Sequence, residues 1–151
     1  MRTQILFFLT LIIAPQAFAN TTLQTCKLSG QIQLVEDTQI SCVGDLQIDD
    51  STAIEQQGFA LDIATSGSIT YGSSAGQGLT VQGAGALTIY AQTAYGNLQI
   101  EKLGAESLSS QTSVSIEYTT LAPDYQQSLN LEDHMRLDLI LNGYTMNKSF
   151  Q

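Results

Sequence analysis

Tryptophan is absent from the 151 residues, histidine occurs once, and lysine and arginine together number five. Each scarcity removes a class of function. Flat aromatic platforms of the kind that hold sugar rings would have to be built from tyrosine alone. Hydrolases of the Ser-His-Asp or Cys-His kind need a histidine base, and His134 is the only one. It follows Glu132 and Asp133 in a charged stretch and reads as a solvated loop residue. Those three side chains are also the only metal-site candidate containing histidine. Adjacent residues in one turn rarely converge on an ion, and no second histidine is present to help. Fourteen acidic residues against five basic ones give a formal net charge of −9, which repels phosphate backbones and anionic lipid surfaces. Nucleic acid is therefore excluded as a partner. No cofactor motif is present.

Long apolar runs are also missing. The longest, Ile5 to Ala14, is about half of the roughly 20 residues a spanning helix needs. It follows Arg2, is broken by Pro15, and leads into Ala17-Phe18-Ala19. This is the charged, apolar and small-residue order of a cleavable secretory signal. Cleavage is expected between Ala19 and Asn20, leaving a mature chain of residues 20–151. A lipoprotein reading centred on Cys26 fails, because polar residues separate that cysteine from the apolar run. Arg2 leaves with the signal, so four basic residues then face fourteen acidic ones, a net charge of −10. The expected location is secreted, periplasmic or at the cell surface, with no transmembrane segment in the mature chain.

The mature chain has two cysteines, Cys26 and Cys42. An even count in an oxidising compartment predicts a disulfide. It would close a loop of about 16 residues and contribute about 3 kcal/mol in the chain-entropy model. The spacing is too wide for a C-x-x-C redox pair, so the bond reads as a structural staple.

Helical periodicity is weak, and period-two alternation takes its place. Apolar pairs recur at Ile32/Leu34, Ile40/Cys42, Leu46/Ile48, Leu61/Ile63, Ile69/Tyr71, Leu79/Val81, Leu87/Ile89, Leu98/Ile100 and Val114/Ile116. Gly, Ser, Asn and Asp fill the gaps between them, as turns require. Residues 58–71 laid over residues 76–89 match Gly58 with Gly76, Leu61 with Leu79, Gly67 with Gly85 and Thr70 with Thr88. Taking residues 32, 46, 61, 79, 98 and 114 as the first strand of each unit predicts an all-β, small parallel β-solenoid of about six irregular coils. Stacked coils lie about 4.8 Å apart, which also suits a Cys26–Cys42 bond one coil apart. An antiparallel β-sandwich is the alternative, since a step of eight residues also fits a hairpin. The predicted organisation is a signal peptide at 1–19, the solenoid at 20–122 and a C-terminal capping segment at 123–151. Ala122-Pro123-Asp124 marks the last boundary. The cap is a hairpin or a helix stopped by Gly143.

The Gly-x-x-Leu-x-Ile strands and small-residue corners of residues 58–118 resemble the coils of bacterial surface adhesins of the haemagglutinin type. That resemblance implies a cell-surface or secreted binding role, with an unknown protein or glycan as partner. Family members are usually far longer and carry a secretion domain, and neither feature occurs in this sequence.

The remaining candidates are surface features. Tyr90 is out of phase with Leu87 and Ile89 and should point outward, and Tyr95 falls in a predicted loop. Together they are the candidate binding surface. Asp45, Asp49 and Asp50 cluster at one corner and offer oxygen ligands to calcium. They lack both the EF-hand spacing and the nonapeptide calcium repeat, so a solvated acidic corner is the expectation. Asn20-Thr21-Thr22 and Asn147-Lys148-Ser149 match the N-glycosylation sequon. No residue is assigned a catalytic or metal-binding role, and the expected function is structural or adhesive, with a small glycan-binding module as the alternative. A carboxylate-dependent glycan-active enzyme is the third reading, because fourteen acids always offer pairs at suitable separations.

Overall fold

The structure is a computed structural model that describes residues 2–4, 25–73, 77–102, 113–131 and 136–149. All of its regular elements are strands, and all but one pairing are parallel. The chain is a β-solenoid. Each turn lays down three strands, one on each of three faces, and the next turn stacks on them.

The first face carries β1 (Arg2–Gln4), β4 (Asp37–Cys42), β7 (Leu61–Thr65), the start of β10 (Leu87–Lys102), the start of β11 (Ser113–Leu121) and β13 (Arg136–Leu141). The second face carries β2 (Thr25–Leu28), β5 (Asp45–Ile48), β8 (Ser68–Tyr71), residues 93–96 of β10 and the end of β11. The third carries β3 (Gln31–Gln33), β6 (Thr52–Glu55), β9 (Leu79–Gln82), the end of β10 and β12 (Gln126–Leu131). In the third full turn one strand, β10, runs round all three faces without a break.

The solenoid therefore has about four turns, not six. On the first face the register pairs Thr38 with Leu61, Leu61 with Leu87, Leu87 with Val114 and Val114 with Leu137. Leu61 thus stacks on Leu87, and Leu79 lies on another face beside Leu98. The correction has a simple cause. A step of eight residues marks the passage from one face to the next, and it is the same whether a turn has two faces or three.

The alternation itself holds. Leu61, Ile63, Ile69, Leu79, Val81, Leu87, Ile89, Leu98 and Ile100 are all buried and belong to one continuous core. Inward residues of successive turns meet at the strand spacing of about 4.8 Å, so each turn supplies the apolar surface that its neighbour covers. β10 bends between the second and third faces at Gly96, whose φ is +83°. A Cβ there would collide with the backbone carbonyl of Tyr71, so only glycine turns this corner.

Cys26 and Cys42 form a disulfide with a Cα separation of 6.0 Å. It ties β2 to the far end of β4. At the other end Asn142 and Gly143, with φ of +50° and +79°, turn β13 back into β14 (Tyr144–Ser149), the one antiparallel partner. Positive φ at both central residues is what a two-residue hairpin turn requires. Pro123 sits in the turn between β11 and β12, where its missing N–H costs the ladder nothing.

Candidate functional site

Tyr90 and Tyr95 both lie on β10 and are both exposed, at 42% and 39%. Tyr95 is in a strand, not in the loop expected from the sequence. The two rings do not share a face. Tyr90 stands on the first face between Ala64 and Glu117 in register, and Tyr95 stands on the second beside Thr70. The corner at Gln92 and Thr93 separates them. The small Ala64 leaves one flank of Tyr90 open, but the pair does not form one flat platform.

The outward face of the third side is more regular. Gln33, Glu55, Gln82, Glu101 and Asn130 occupy one file, each directly beside the next turn's member. Carboxylates alternate with amides along it, so no two like charges are direct neighbours, an arrangement that avoids cross-strand repulsion. Gln99 Nε2 donates to Glu101 Oε1 at 2.8 Å. The result is a polar ladder across five strands.

The acidic corner is occupied with internal work. Asp45 Oδ1 accepts the Ser68 N–H at 2.9 Å. Asp50 Oδ1 accepts the Ser73 N–H at 2.6 Å, and Oδ2 accepts its hydroxyl at 2.8 Å. Those two bonds, the backbone one first, hold the Asp50 carboxyl below its ordinary value. Asp49 Oδ2 meets Lys27 Nζ at 3.0 Å. Asp37 Oδ1 accepts the Ala60 N–H at 2.9 Å. The bonds of Asp37, Asp45 and Asp50 each span 23 residues. One carboxylate of the first full turn therefore satisfies a corner N–H of the second at each of three corners. Among the described residues no group of three ligating side chains is arranged for a metal.

Two buried polar clusters have no counterpart in the sequence-based reading. Lys102 is fully buried, and its Nζ donates to Gln56 Oε1 and, at 2.8 Å, to Gly83 O. Gln56 is equally buried and donates to Phe59 O at 2.9 Å and Ala86 O at 2.8 Å. Burial pushes the Lys102 amine down to about 7, because desolvation disfavours the charged form. The signal was available, since Lys102 follows Leu98 and Ile100 at a spacing of two. The second cluster joins Tyr71, Tyr118 and Tyr125. The hydroxyls of Tyr71 and Tyr118 lie 2.6 Å apart, and Tyr125 donates to Gln127 Oε1 at 2.6 Å. The Tyr118 and Tyr125 rings meet edge to face with centroids 5.5 Å apart. Burial, the largest influence on each, raises all three phenols above their ordinary range.

The N-terminal end of the stack has a distinct geometry. β1 lies parallel on β4, with Arg2 opposite Asp37, Thr3 opposite Thr38 and Gln4 opposite Gln39. Thr38 and Ile40 of β4 are buried. His134, Ala19 and Asn20 lie outside the described residues, as does the Asn20 sequon. Asn147–Ser149 lie in β14, which pairs with β13. No helix among the described residues is long and apolar enough to cross a membrane. No protein-family model matches the chain, and neither a curated protein nor a solved structure shows significant similarity to it.

Proposed function

We propose that this is an exported, non-catalytic protein with a structural or adhesive role, acting outside the cytoplasm on a protein or glycan partner. The observation that carries the reading is the set of flat, polar strand faces on a disulfide-pinned β-solenoid. The third face is the clearest, with Gln33, Glu55, Gln82, Glu101 and Asn130 in one file. Such faces repeat one spacing over several rungs, which suits extended or repetitive partners. Both cysteines are bonded to each other, and Asp45, Asp49 and Asp50 hold turns together. Export rests on the leader at residues 1–19 and agrees with the disulfide.

The test is a screen of the mature chain, residues 20–151, against protein and glycan panels with and without calcium. Saturable binding that is weakened by Glu55→Lys with Glu101→Lys is the expected result, and His134→Ala should leave it unchanged. Tyr90→Glu and Tyr95→Glu, made separately, test the glycan-binding alternative, because the two rings lie on different faces. Reproducible turnover of a polysaccharide, peptide or ester that disappears in a carboxylate or His134 variant would overturn the reading in favour of a glycan-active enzyme.

A further inference from the structure

We propose that the outward ladder of the third face binds a basic segment of a partner protein in polyproline II conformation, with a lysine or arginine at every third position. This rests on the adhesive reading of that same face and names the partner's chemistry. The ladder is Gln33, Glu55, Gln82, Glu101 and Asn130, one residue from each of five successive strands. Glu55 and Glu101 are its carboxylates, with Gln82 between them. They therefore stand about 9.6 Å apart, twice the strand spacing of about 4.8 Å. Among the described residues neither meets a basic side chain. Lys102, the nearest in sequence, is turned into the core, where its amine bonds Gln56 Oε1 and Gly83 O.

The period selects the backbone of the partner. In polyproline II three residues make one turn with a rise of about 3.1 Å each, so every third residue returns to the same side after about 9.3 Å. A segment lying along the stack, across the strands, thus sets successive cations over Glu55 and Glu101. A β-strand with basic residues at alternate positions repeats at about 6.7 Å and falls out of step. A helix comes nearer, since seven residues rise about 10.5 Å, but its backbone groups already bond one another. Polyproline II has no internal hydrogen bonds, so its carbonyls are free to accept from the ladder.

The rest of the face suits such a segment. Gln33, Gln82 and Asn130 carry side-chain amides that donate to carbonyls between the ion pairs. Gln99 Nε2 donates to Glu101 Oε1 at 2.8 Å, which holds that carboxylate in place. Ala53 and Thr80 are short, lie in register with each other, and keep the ground beside the ladder low enough for proline rings. Among the described residues no aromatic side chain stands on the outward positions of this face. The stacking platform a sugar ring would use is therefore missing there, and charge recommends the partner instead. The strongly acidic balance of the whole chain adds attraction at longer range. A preformed polyproline II segment also loses little freedom on binding.

The experiment uses the exported, disulfide-bonded protein and two synthetic peptides of equal length, composition and charge. One is a repeat of Lys-Pro-Pro. The other has the same residues with its lysines adjacent in pairs. Affinity is measured by titration at low salt, and the contact is mapped by amide shifts. The expected result is saturable binding of the periodic peptide, with shifts in residues 53–55, 80–82 and 99–101. It should bind about two- to fivefold tighter than the paired one, the factor one exposed ion pair contributes. Glu55→Gln and Glu101→Gln should each weaken it by a similar factor of about two to five. Glu117→Gln removes the same charge from the first face and should not. Gln82→Glu combined with Glu101→Gln keeps the net charge and halves the carboxylate spacing, so the preference for the periodic peptide should disappear. The proposal is overturned if the periodic peptide does not bind, if both peptides bind equally, if the shifts fall off the third face, or if Glu117→Gln weakens binding as much as Glu55→Gln. A glycan that gives saturable shifts on this face when neither peptide binds would overturn it and leave the adhesive reading standing. Partner panels that yield nothing, with the peptide results as expected, would refute the adhesive reading and leave the ladder's preference standing.

Discussion

Leu79 and Thr80 are neighbours in β9 with opposite surroundings. Leu79 is fully buried, and Thr80 points to the outer surface. Leu79→Ala should cost about 2–5 kcal/mol through lost burial and the cavity left behind. Thr80→Ala should change stability by less than about 0.5 kcal/mol. Equal urea midpoints for the two variants would contradict the register. Both assignments were legible from alternation alone, because a strand fixes side by parity. Lys102 was legible by the same parity, yet its burial runs against the habit of lysine. What admits it is the pair of acceptors, Gln56 Oε1 and Gly83 O, brought there from other turns. Lys102→Met should therefore leave those oxygens without their donor and should not behave as a simple gain in apolar burial. Gly96 is different again. Its need for glycine comes from the carbonyl of Tyr71, 25 residues earlier in the chain, and no local pattern announces that contact.

At the scale of the element, the disulfide forms as the cysteine count predicts but not between stacked positions: Cys26 stacks on Leu46, and Cys42 lies on the neighbouring face. Cys26 and Cys42 lie 16 residues apart in sequence and 6.0 Å apart at Cα. Replacing both with serine should lower stability by about 3 kcal/mol, chiefly by releasing the loop in the unfolded chain. A matched urea titration of oxidised parent and double variant measures it. An unchanged midpoint would mean that the first rung is held without the bond. The hairpin β13–β14 was not foreseen: the expected tail hairpin joined Leu129/Leu131 to Leu137/Leu139/Leu141, and those two segments stack instead on β10 and β11. Asn142-Gly143 is the favoured pair for a tight hairpin, but the flanking leucines also fit a helix face. Stacking on β11 decides for the strand: Val114 pairs with Leu137 and Ile116 with Leu139. The three i to i+23 aspartate bonds were invisible in advance, since the turn length that sets them was itself misjudged from the sequence. Asp37, Asp45 and Asp50 look like solvated acids until the second turn is placed beneath them.

For the whole molecule, the buried amine and the buried phenols together predict an unusual dependence on pH. Lys102 is held down to about 7 in the fold, against about 10.4 in the unfolded chain. Between those values the unfolded chain binds more protons, so stability rises with pH across that window. Tyr71, Tyr118 and Tyr125 are raised in the fold. Above the unfolded tyrosine value of about 10, the unfolded chain loses protons that the fold keeps, so stability then declines. Urea midpoints should climb from about pH 7 and turn down above about pH 10. Lys102→Met should abolish the rising limb and leave the falling one. A flat profile in the parent protein would show that water reaches both clusters. Processing belongs to this scale too: intact mass of exported protein should correspond to residues 20–151 with one disulfide, and a retained leader or two free thiols would refute it.

The strand class, the inward set of residues, the cysteine pair and the direction of charge could all be read from the residues alone. These depend on parity, count and composition, which are local or additive. The number of faces per turn, and with it the four turns in place of six, was decided only by tertiary structure. A step of eight residues carries a chain across one corner, and nothing in that step states how many corners close the ring. The placement of Tyr90 and Tyr95 on separate faces followed from the same geometry, as did the conversion of an acidic corner into inter-turn bonds. Contacts between residues 23 to 27 positions apart are set by how the ring closes, so they become readable only when one turn rests on the next.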